Sequence, residues 1–261
     1  MAYELIRLEI DQQVATITLN LPERLNACAP AMADEIAAAL DEALGSARAV
    51  IITGEGRAFC SGADLSGRAA GSITGGLRSY NVLTQSYNPL MLKLARLPIP
   101  VITAVNGLAA GIGCSLALAS DFAIAGRSAY FLQAFVNIGL VPDGGSSWML
   151  ARLIGKARAT EMMLLGEKVP AEKAESWGMI YRCVEDADLQ AQAFALALRL
   201  AKGPTVALGA MRQNLARALE SDYASALLAE AEGQWKAGDS ADAAEGVAAF
   251  SQKRKAEFKG N

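Results

Sequence analysis

The chain has 261 residues, 52% of them hydrophobic and 20% charged, which suits one large buried core or one domain with a helical appendage. A net charge of −3 leaves no basic face to displace counterions from nucleic acid, no apolar run nears the roughly 20 residues of a membrane span, and the opening MAYELIRLEIDQQ lacks a secretion-signal pattern, so the expected location is the cytoplasm. There is no histidine, which excludes Ser-His-Asp and Cys-His nucleophiles and any imidazole acid or base, and four scattered cysteines (Cys28, Cys60, Cys114, Cys183) without a CxxC pair read as reduced thiols rather than a metal site.

Residues 4–19 alternate around Asp11-Gln12-Gln13 and predict two strands of a hairpin. The pattern breaks at LPERLNACAP, after which Pro30 opens an amphipathic helix over AMADEIAAALDEAL, and RAVIITG reads as a short buried strand. EGRAFCSGADLSGRAAGSITGGL is a long glycine-rich loop; its first half carries apolar residues that dock it, and SGRAAGSITGG runs over the surface. A helix over LRSYNVLTQSYNPLMLKLARL follows, then strand PVITAVN, helix GCSLALAS, strand DFAIAG, short strand AYFL, and the turn GLVPDGGSS leading to helix WMLARLIG. Strands that return after each helix imply parallel pairing with right-handed crossovers, an α/β fold. From ARATEMMLLG onward the pattern is almost wholly helical and ends in the basic SQKRKAEFKGN. The expected division is an α/β core over 1–195 and a helical region over 196–261, with no linker cleanly between them.

The stretch GLAAGIGCSLALAS, from Gly107, reads as a glycine turn between a strand and a helix, where the first helical amides face an electron-rich group. A dinucleotide site fails because the sixth position of the glycine pattern is Leu116 and no acidic residue stands about twenty positions on. A phosphate-binding loop fails because no Gly-Lys-Ser/Thr follows. Two readings remain: the glycines let the helix pack closely on the sheet, or the turn offers an amide to a ligand. FCSGADL is a second glycine turn past a buried strand, and two amides converging from neighbouring parallel strands would form an oxyanion hole.

PERLNA, GRAFCSGADL, AVNGLAAGIGCSLALASD and GLVPDGGSSWML, in this order, resemble the crotonase (enoyl-CoA hydratase/isomerase) superfamily over nearly the whole chain. Within it, SYNPLMLKLARLPIPVITAVNG and GLVPDGG are similar to the ring 1,2-epoxyphenylacetyl-CoA isomerase and enoyl-CoA isomerase group. The resemblance implies a crotonase-like spiral of ββα repeats, a C-terminal helical region used in trimerisation, and a homotrimer or dimer of trimers. It also implies a coenzyme A thioester as substrate, with no separate cofactor. It assigns the oxyanion amides to Ala63 and Ile112, and the coenzyme A groove to Arg24, Leu25, Ala27, Asp64 and Leu65. By local sequence Asp64 pins its turn. The basic tail (Lys253, Arg254, Lys255, Lys259) is either a solvated face or a partner for the coenzyme A phosphates.

Hydratases of this family carry glutamates at the positions matching Ser115 and Phe135, and neither residue here titrates usefully near neutral pH. The resemblance leaves Asp143, where similar isomerases carry an acid/base aspartate. One carboxylate suffices to move a proton between two carbons of an extended enolate, and the Leu140-Val141-Pro142 setting would raise its pKa. Locally, Asp143 also reads as a helix N-cap. Asn137 reads as an ordinary polar contact near the acyl region, Asp121 as a cap or bridge, Tyr80 and Tyr87 as core packing. The function expected is an acyl-CoA isomerase that shifts a double bond or opens a ring epoxide, placed in fatty acid metabolism or phenylacetate catabolism. The alternatives are an enoyl-CoA hydratase and a catalytically silent acyl-CoA-binding homologue.

Overall fold

The computed structural model describes residues 3–64 and 75–261. The chain opens with β1 (Ile6–Asp11) and β2 (Val14–Leu19), antiparallel, with Asp11 opposite Val14. Gln12 and Gln13 both take positive φ, 48° and 66°, as a two-residue hairpin turn matched to strand twist requires. α1 (Pro30–Ala43) starts on Pro30 at its first turn and turns Met32, Ala33, Ile36, Ala39, Leu40 and Ala43 inward at helical spacing. Three strand–strand–helix turns follow. The first is β3 (Ala49–Gly54), β4 (Ala58–Cys60), then α2 (Gly75–Val82) and α3 (Asn88–Arg96), joined by a π-turn over Leu83–Tyr87. The second is β5 (Val101–Val105), β6 (Leu108–Ala110) and α4 (Ile112–Leu118). The third is β7 (Phe122–Gly126), β8 (Tyr130–Leu132), a 3-10 turn over Ala134–Ile138, and α5 (Ser146–Leu165). Gly155, the expected end of WMLARLIG, breaks α5 with φ of 71° and ψ of 164°.

β9 (Val169–Pro170), α6 (Ala171–Ser176) and β10 (Arg182–Val184) complete the α/β part. One six-stranded sheet runs β1-β2-β3-β5-β7-β10, parallel after the hairpin, and a four-stranded sheet runs β4-β6-β8-β9. This is the expected ββα spiral. Several details differ from the sequence expectation: β6 lies inside the expected glycine turn, and the expected single helix after the glycine-rich loop is α2 and α3 joined by the π-turn. GRAFCSGADL contains β4 rather than only a docked loop, and the nominally helical last third holds β9 and β10. β4, β6, β9 and β10 have two or three residues each, too few to display a period of two.

α7 (Leu189–Ala201) carries the chain across residues 195 and 196 while packing Leu189, Ala193, Ala197 and Ala201 on one sheet face. That face presents Val14, Ala49, Ile51, Ile102, Ala104 and Ile124. Small residues at every fourth position bring the helix close, and each buried valine or isoleucine there stabilises by about 1.5–3 kcal/mol. α8 (Thr205–Ala218) and α9 (Tyr223–Gly238) form a helical hairpin, followed by α10 (Ala241–Ser251). Arg212 ties α8 to the core: its Nε meets Asp121 Oδ2 at 2.5 Å, while its other nitrogens donate to the Leu97 and Leu94 carbonyls. Asp121 also accepts from Val101 N at 2.7 Å, so it bridges rather than caps. Met211, Leu215, Leu228, Trp235 and Phe250 leave apolar surface exposed on α8 to α10. Among the described residues no single helix is long and apolar enough to cross a membrane.

The basic tail is folded back on α10. Glu245 holds Arg254 in a two-pronged ion pair at 2.6 and 2.8 Å, which brings its own pKa to about 2. Buried Asp242 accepts from the amides of Lys259 (2.6 Å) and Gly260 (2.8 Å), with Arg48 4.0 Å away.

Candidate active site

The glycines of GLAAGIG divide by role. A Cβ on Gly107 would collide with the Arg57 carbonyl, and one on Gly113 would meet Cys60 Sγ at 2.8 Å, so these two allow close packing against β4. Gly111 is different: its φ of 52° and ψ of −127° suit only a residue without a Cβ. Gly62, after β4, has φ of 109°. β4 and β6 are parallel neighbours, so the two turns leave the same end of the small sheet. They touch through bare backbone: a Cβ built on Gly111 would lie 3.7 Å from the Gly62 Cα.

Ala63 and Ile112 follow those two glycines. The Ala63 peptide is held from both sides, since Cys28 N donates to the Gly62 carbonyl at 2.8 Å and Asp64 N donates to the Cys28 carbonyl at 3.2 Å. That ladder uses the groups flanking Ala63 and leaves its own N–H pointing away from β-pairing. Ile112 is the first residue of α4, so its N–H has no carbonyl one helical turn back. Among the described residues neither amide takes a backbone acceptor in a turn, loop or cap.

Ala63 faces a cleft of about 150 Å³ together with Tyr87, Leu83, Phe135, Val141 and Asp143. Asp143 is half-buried, and its Oδ1 is out of reach of solvent with no hydrogen-bond partner among the described residues. Burial raises its pKa from 3.8 to about 6. The N-cap reading does not hold for this side chain. Gly145 occupies the N-cap of α5, and only the Asp143 main-chain carbonyl meets the helix, through Ser146 N at 3.1 Å. The Asp143-Gly144 step rests on α4: a Cβ on Gly144 would collide with Ile112 Cδ1 and reach Ser115 Cβ at 2.8 Å.

Ser115 is fully buried and its hydroxyl lies 2.9 Å from the Asp143 carbonyl. Phe135 packs its ring edge against the Gly111 turn, 3.6 Å from where a Cβ would stand. At these two positions Asp143 is therefore flanked by a consumed hydroxyl and an aromatic ring; the other carboxyl lining the cleft, Asp64, is paired with Arg24. Cys28 and Tyr87 lie close enough to Asp143 to feel its charge, and burial pushes both well above their ordinary pKa, so both remain neutral. Burial likewise pushes Cys60 to about 11 and Cys114 to about 12, which keeps them as thiols. Among the described residues no group of three His, Cys, Asp or Glu side chains is placed to hold a metal ion.

Arg24, Leu25 and Ala27 lie in the segment before Cys28, which pairs with Ala63, and none of the three is among the residues lining the cleft. Arg24 pairs with Asp64 at 2.7 Å, and Ser61 N donates to the Leu25 carbonyl at 3.0 Å. Leu25 and Asn26 both take positive φ, a reversal fixed by the buried Asn26 side chain, which accepts from Leu21 N and donates to the Glu55 and Ala58 carbonyls. Leu65 and the adjoining 66–74 segment lie outside the described residues. Asn137 does not reach the cleft; it donates to the Gly166 carbonyl at 3.1 Å and closes the end of α5. Tyr80 is exposed, whereas Tyr87 is buried in the cleft wall and donates its hydroxyl to the Cys28 carbonyl. The π-turn over Leu83–Tyr87, just before Pro89, aims both of its ends into the cleft. Neither the π-turn nor the Tyr87 bond has a local sequence signal.

A family model described as enoyl-CoA hydratase/isomerase matches residues 9–261. The chain is 46% identical over 260 residues to a Rhodobacter capsulatus protein named "Probable enoyl-CoA hydratase", covering all of both chains. It is 44% identical over 264 residues to the 1,2-epoxyphenylacetyl-CoA isomerase of Escherichia coli, covering 98% of this chain and 99% of that one. The crystal structure of an enoyl-CoA hydratase from Bacillus anthracis superposes with a TM-score of 0.91 at 29% identity, covering 99% of this chain and 100% of that one.

Proposed function

Because the chain belongs to the enoyl-CoA hydratase/isomerase family, we propose that it is an acyl-CoA isomerase in which Asp143 moves a proton while the Ala63 and Ile112 amides hold the thioester oxygen. The carrying observation is the Asp143 carboxyl: a half-buried acid with an unpartnered Oδ1, facing the cleft beside Ala63, with Ser115 and Phe135 where hydratases of this family place glutamates. The carboxylate takes a proton from a carbon next to the thioester or vinylogous to it, and the electron pair moves onto the thioester oxygen. With an enoyl thioester, the acid so formed returns the proton to another carbon of the same system and the double bond shifts; with a ring epoxide, the enolate pair forms a C=C to the ring as the adjacent C–O bond breaks, and the acid protonates the released oxygen, so neither route gains or loses atoms.

Two amides aimed at the developing oxyanion supply roughly 3 kcal/mol each in a site that excludes water. A base of pKa near 6 is mostly ionised at neutral pH yet still basic enough to share the proton. Arg24, Leu25, Ala27, Asp64 and Leu65 hold the coenzyme A portion in this reading, and coenzyme A is part of the substrate rather than a cofactor. The exposed apolar residues of α8 to α10 support assembly as a homotrimer or a dimer of trimers.

Asp143→Asn tests the assignment. Turnover of 3-enoyl and ring-epoxide thioesters falls to near background while calorimetric binding of the same thioesters stays within a few-fold. Wild-type turnover in this variant contradicts it. The name of the Rhodobacter capsulatus relative favours a second reading, hydration with Asp143 as the lone acid/base, which a 3-hydroxyacyl product from a trans-2-enoyl thioester would reveal.

A further inference from the structure

Asp143 is followed by Gly144 and Gly145, both at positive φ (59° and 82°). Two consecutive glycines give the backbone more freedom than any other pair, and a half-buried carboxyl whose Oδ1 has no hydrogen-bond partner among the described residues gains solvation by swinging outward. Something must hold the segment against that drift.

The holding groups form a buried chain. Gln133 donates through Nε2 to Ser146 Oγ at 3.1 Å, the Ser146 and Ser115 hydroxyls lie 2.6 Å apart, and Ser115 Oγ lies 2.9 Å from the Asp143 carbonyl oxygen. All three side chains are buried. A carbonyl only accepts, so the single Ser115 proton goes to Asp143; the Gly111 carbonyl, at 3.4 Å, is the poorer acceptor. The Ser146 proton then goes to Ser115 Oγ, and the Gln133 amide to Ser146. One direction satisfies the whole chain, and bonds polarised in series reinforce one another. Gln133 Oε1 stays buried without a partner among the described residues, so the Nε2 contact is made at the expense of its acceptor.

We propose that Ser115, backed by Ser146 and Gln133, is a positioning residue that clamps the Asp143 main chain and keeps its carboxyl in the cleft. The position that supplies a carboxylate in the family's hydratases thus serves the remaining acid from behind. The inference rests on the reading of Asp143 as the base. The groups facing that carboxyl are neutral Tyr87 from the π-turn and neutral Cys28 from the loop before α1; Asp64 and Arg78 line the cleft from the turn after β4 and from α2.

The test follows deuterium uptake at the acyl chain of a straight-chain 3-enoyl coenzyme A thioester, as a function of pH, in four proteins: wild type, Asp143→Asn, Ser115→Ala and Ser146→Ala. Displacement of a reacting group by about 1 Å can cost on the order of a hundred-fold, so Ser115→Ala should lose about ten- to a hundred-fold in kcat with KM within about three-fold. Its acid limb should move below the wild-type position as the carboxyl reaches water. A folded Ser115→Ala whose rate is lowered equally at every pH, with that limb in place, would contradict the proposal. Ser146→Ala cuts the chain one bond further back and should shift rate and limb the same way, less strongly; it decides the matter if Ser115→Ala does not fold. Wild-type rate and limb in both serine variants overturn the clamp while leaving the base assignment standing if Asp143→Asn is inactive. An active Asp143→Asn overturns both.

Discussion

Gly62 and Gly111 stand back to back: a side-chain carbon on Gly111 would come within 3.7 Å of the Gly62 Cα. That contact brings two turns from separate strands together; Ala63, after the first, lines the cleft, whereas Ile112, after the second, is not among its lining residues. Gly111→Ala adds strain at a φ/ψ pair that L-residues avoid, and it shifts the Ile112 amide. The variant should lose on the order of a hundred-fold in kcat with little change in KM, as loss of an oxyanion donor does. Steady-state kinetics on a thioester substrate checks it.

Asp143 predicts opposite effects of pH on rate and on stability. The base must be ionised, so kcat/KM should rise as pH passes through about 6 and then level off. For folding, a carboxyl whose pKa is raised from 3.8 to about 6 binds its proton more tightly in the folded chain. The stability this contributes is complete below about 4 and is lost as pH rises through about 6. Asp143→Asn removes the charged form, so its thermal midpoint should exceed that of wild type at pH 8. After discounting for partial exposure the gain is at most about 2 kcal/mol, and the two melting curves should converge near pH 4.

Asn26 fixes the backbone reversal that carries Arg24 and Leu25. Its side chain makes three hydrogen bonds, at 2.9, 2.9 and 2.8 Å, while its backbone sits at φ of 54°. Asn26→Ala orphans one amide and two carbonyls, and should cost about 2–4 kcal/mol by chemical denaturation. The same change should raise KM for coenzyme A thioesters more than it lowers kcat.

Asp242 fastens the tail. With Asp242→Ala, the Lys259 and Gly260 amides lose their acceptor and Arg48 is left as an uncompensated charge. Destabilisation of about 3 kcal/mol and protease cleavage within 252–261 under conditions that spare wild type are the expected outcomes.

Much of this was legible in the residues, for identifiable reasons. Pro30 marks a helix start because its missing N–H costs nothing at the first turn, and Gln12-Gln13 marks a hairpin because the patterns on either side alternate. Both readings offered for the glycine turn apply, to different glycines: Gly107 and Gly113 serve packing, Gly111 the backbone reversal. What escaped were contacts between segments distant in sequence. β4 and β6 are three residues each and exist because they pair with one another. The Cys28 ladder to Gly62 and Asp64, the Tyr87 hydroxyl on Cys28, and the hydroxyl chain behind Asp143 all depend on tertiary placement that no local pattern encodes.

In the proposed reaction one carboxyl and two main-chain amides suffice to make and requench a thioester enolate. The most direct test is to incubate a 3-enoyl coenzyme A thioester in deuterated water and follow the products by mass spectrometry, with wild type and Asp143→Asn in parallel. Wild type should give a double-bond-shifted product carrying deuterium and little 3-hydroxyacyl product, and the variant neither shift nor label. A dominant 3-hydroxyacyl product, or labelling that persists when Asp143 is replaced, would contradict this reaction.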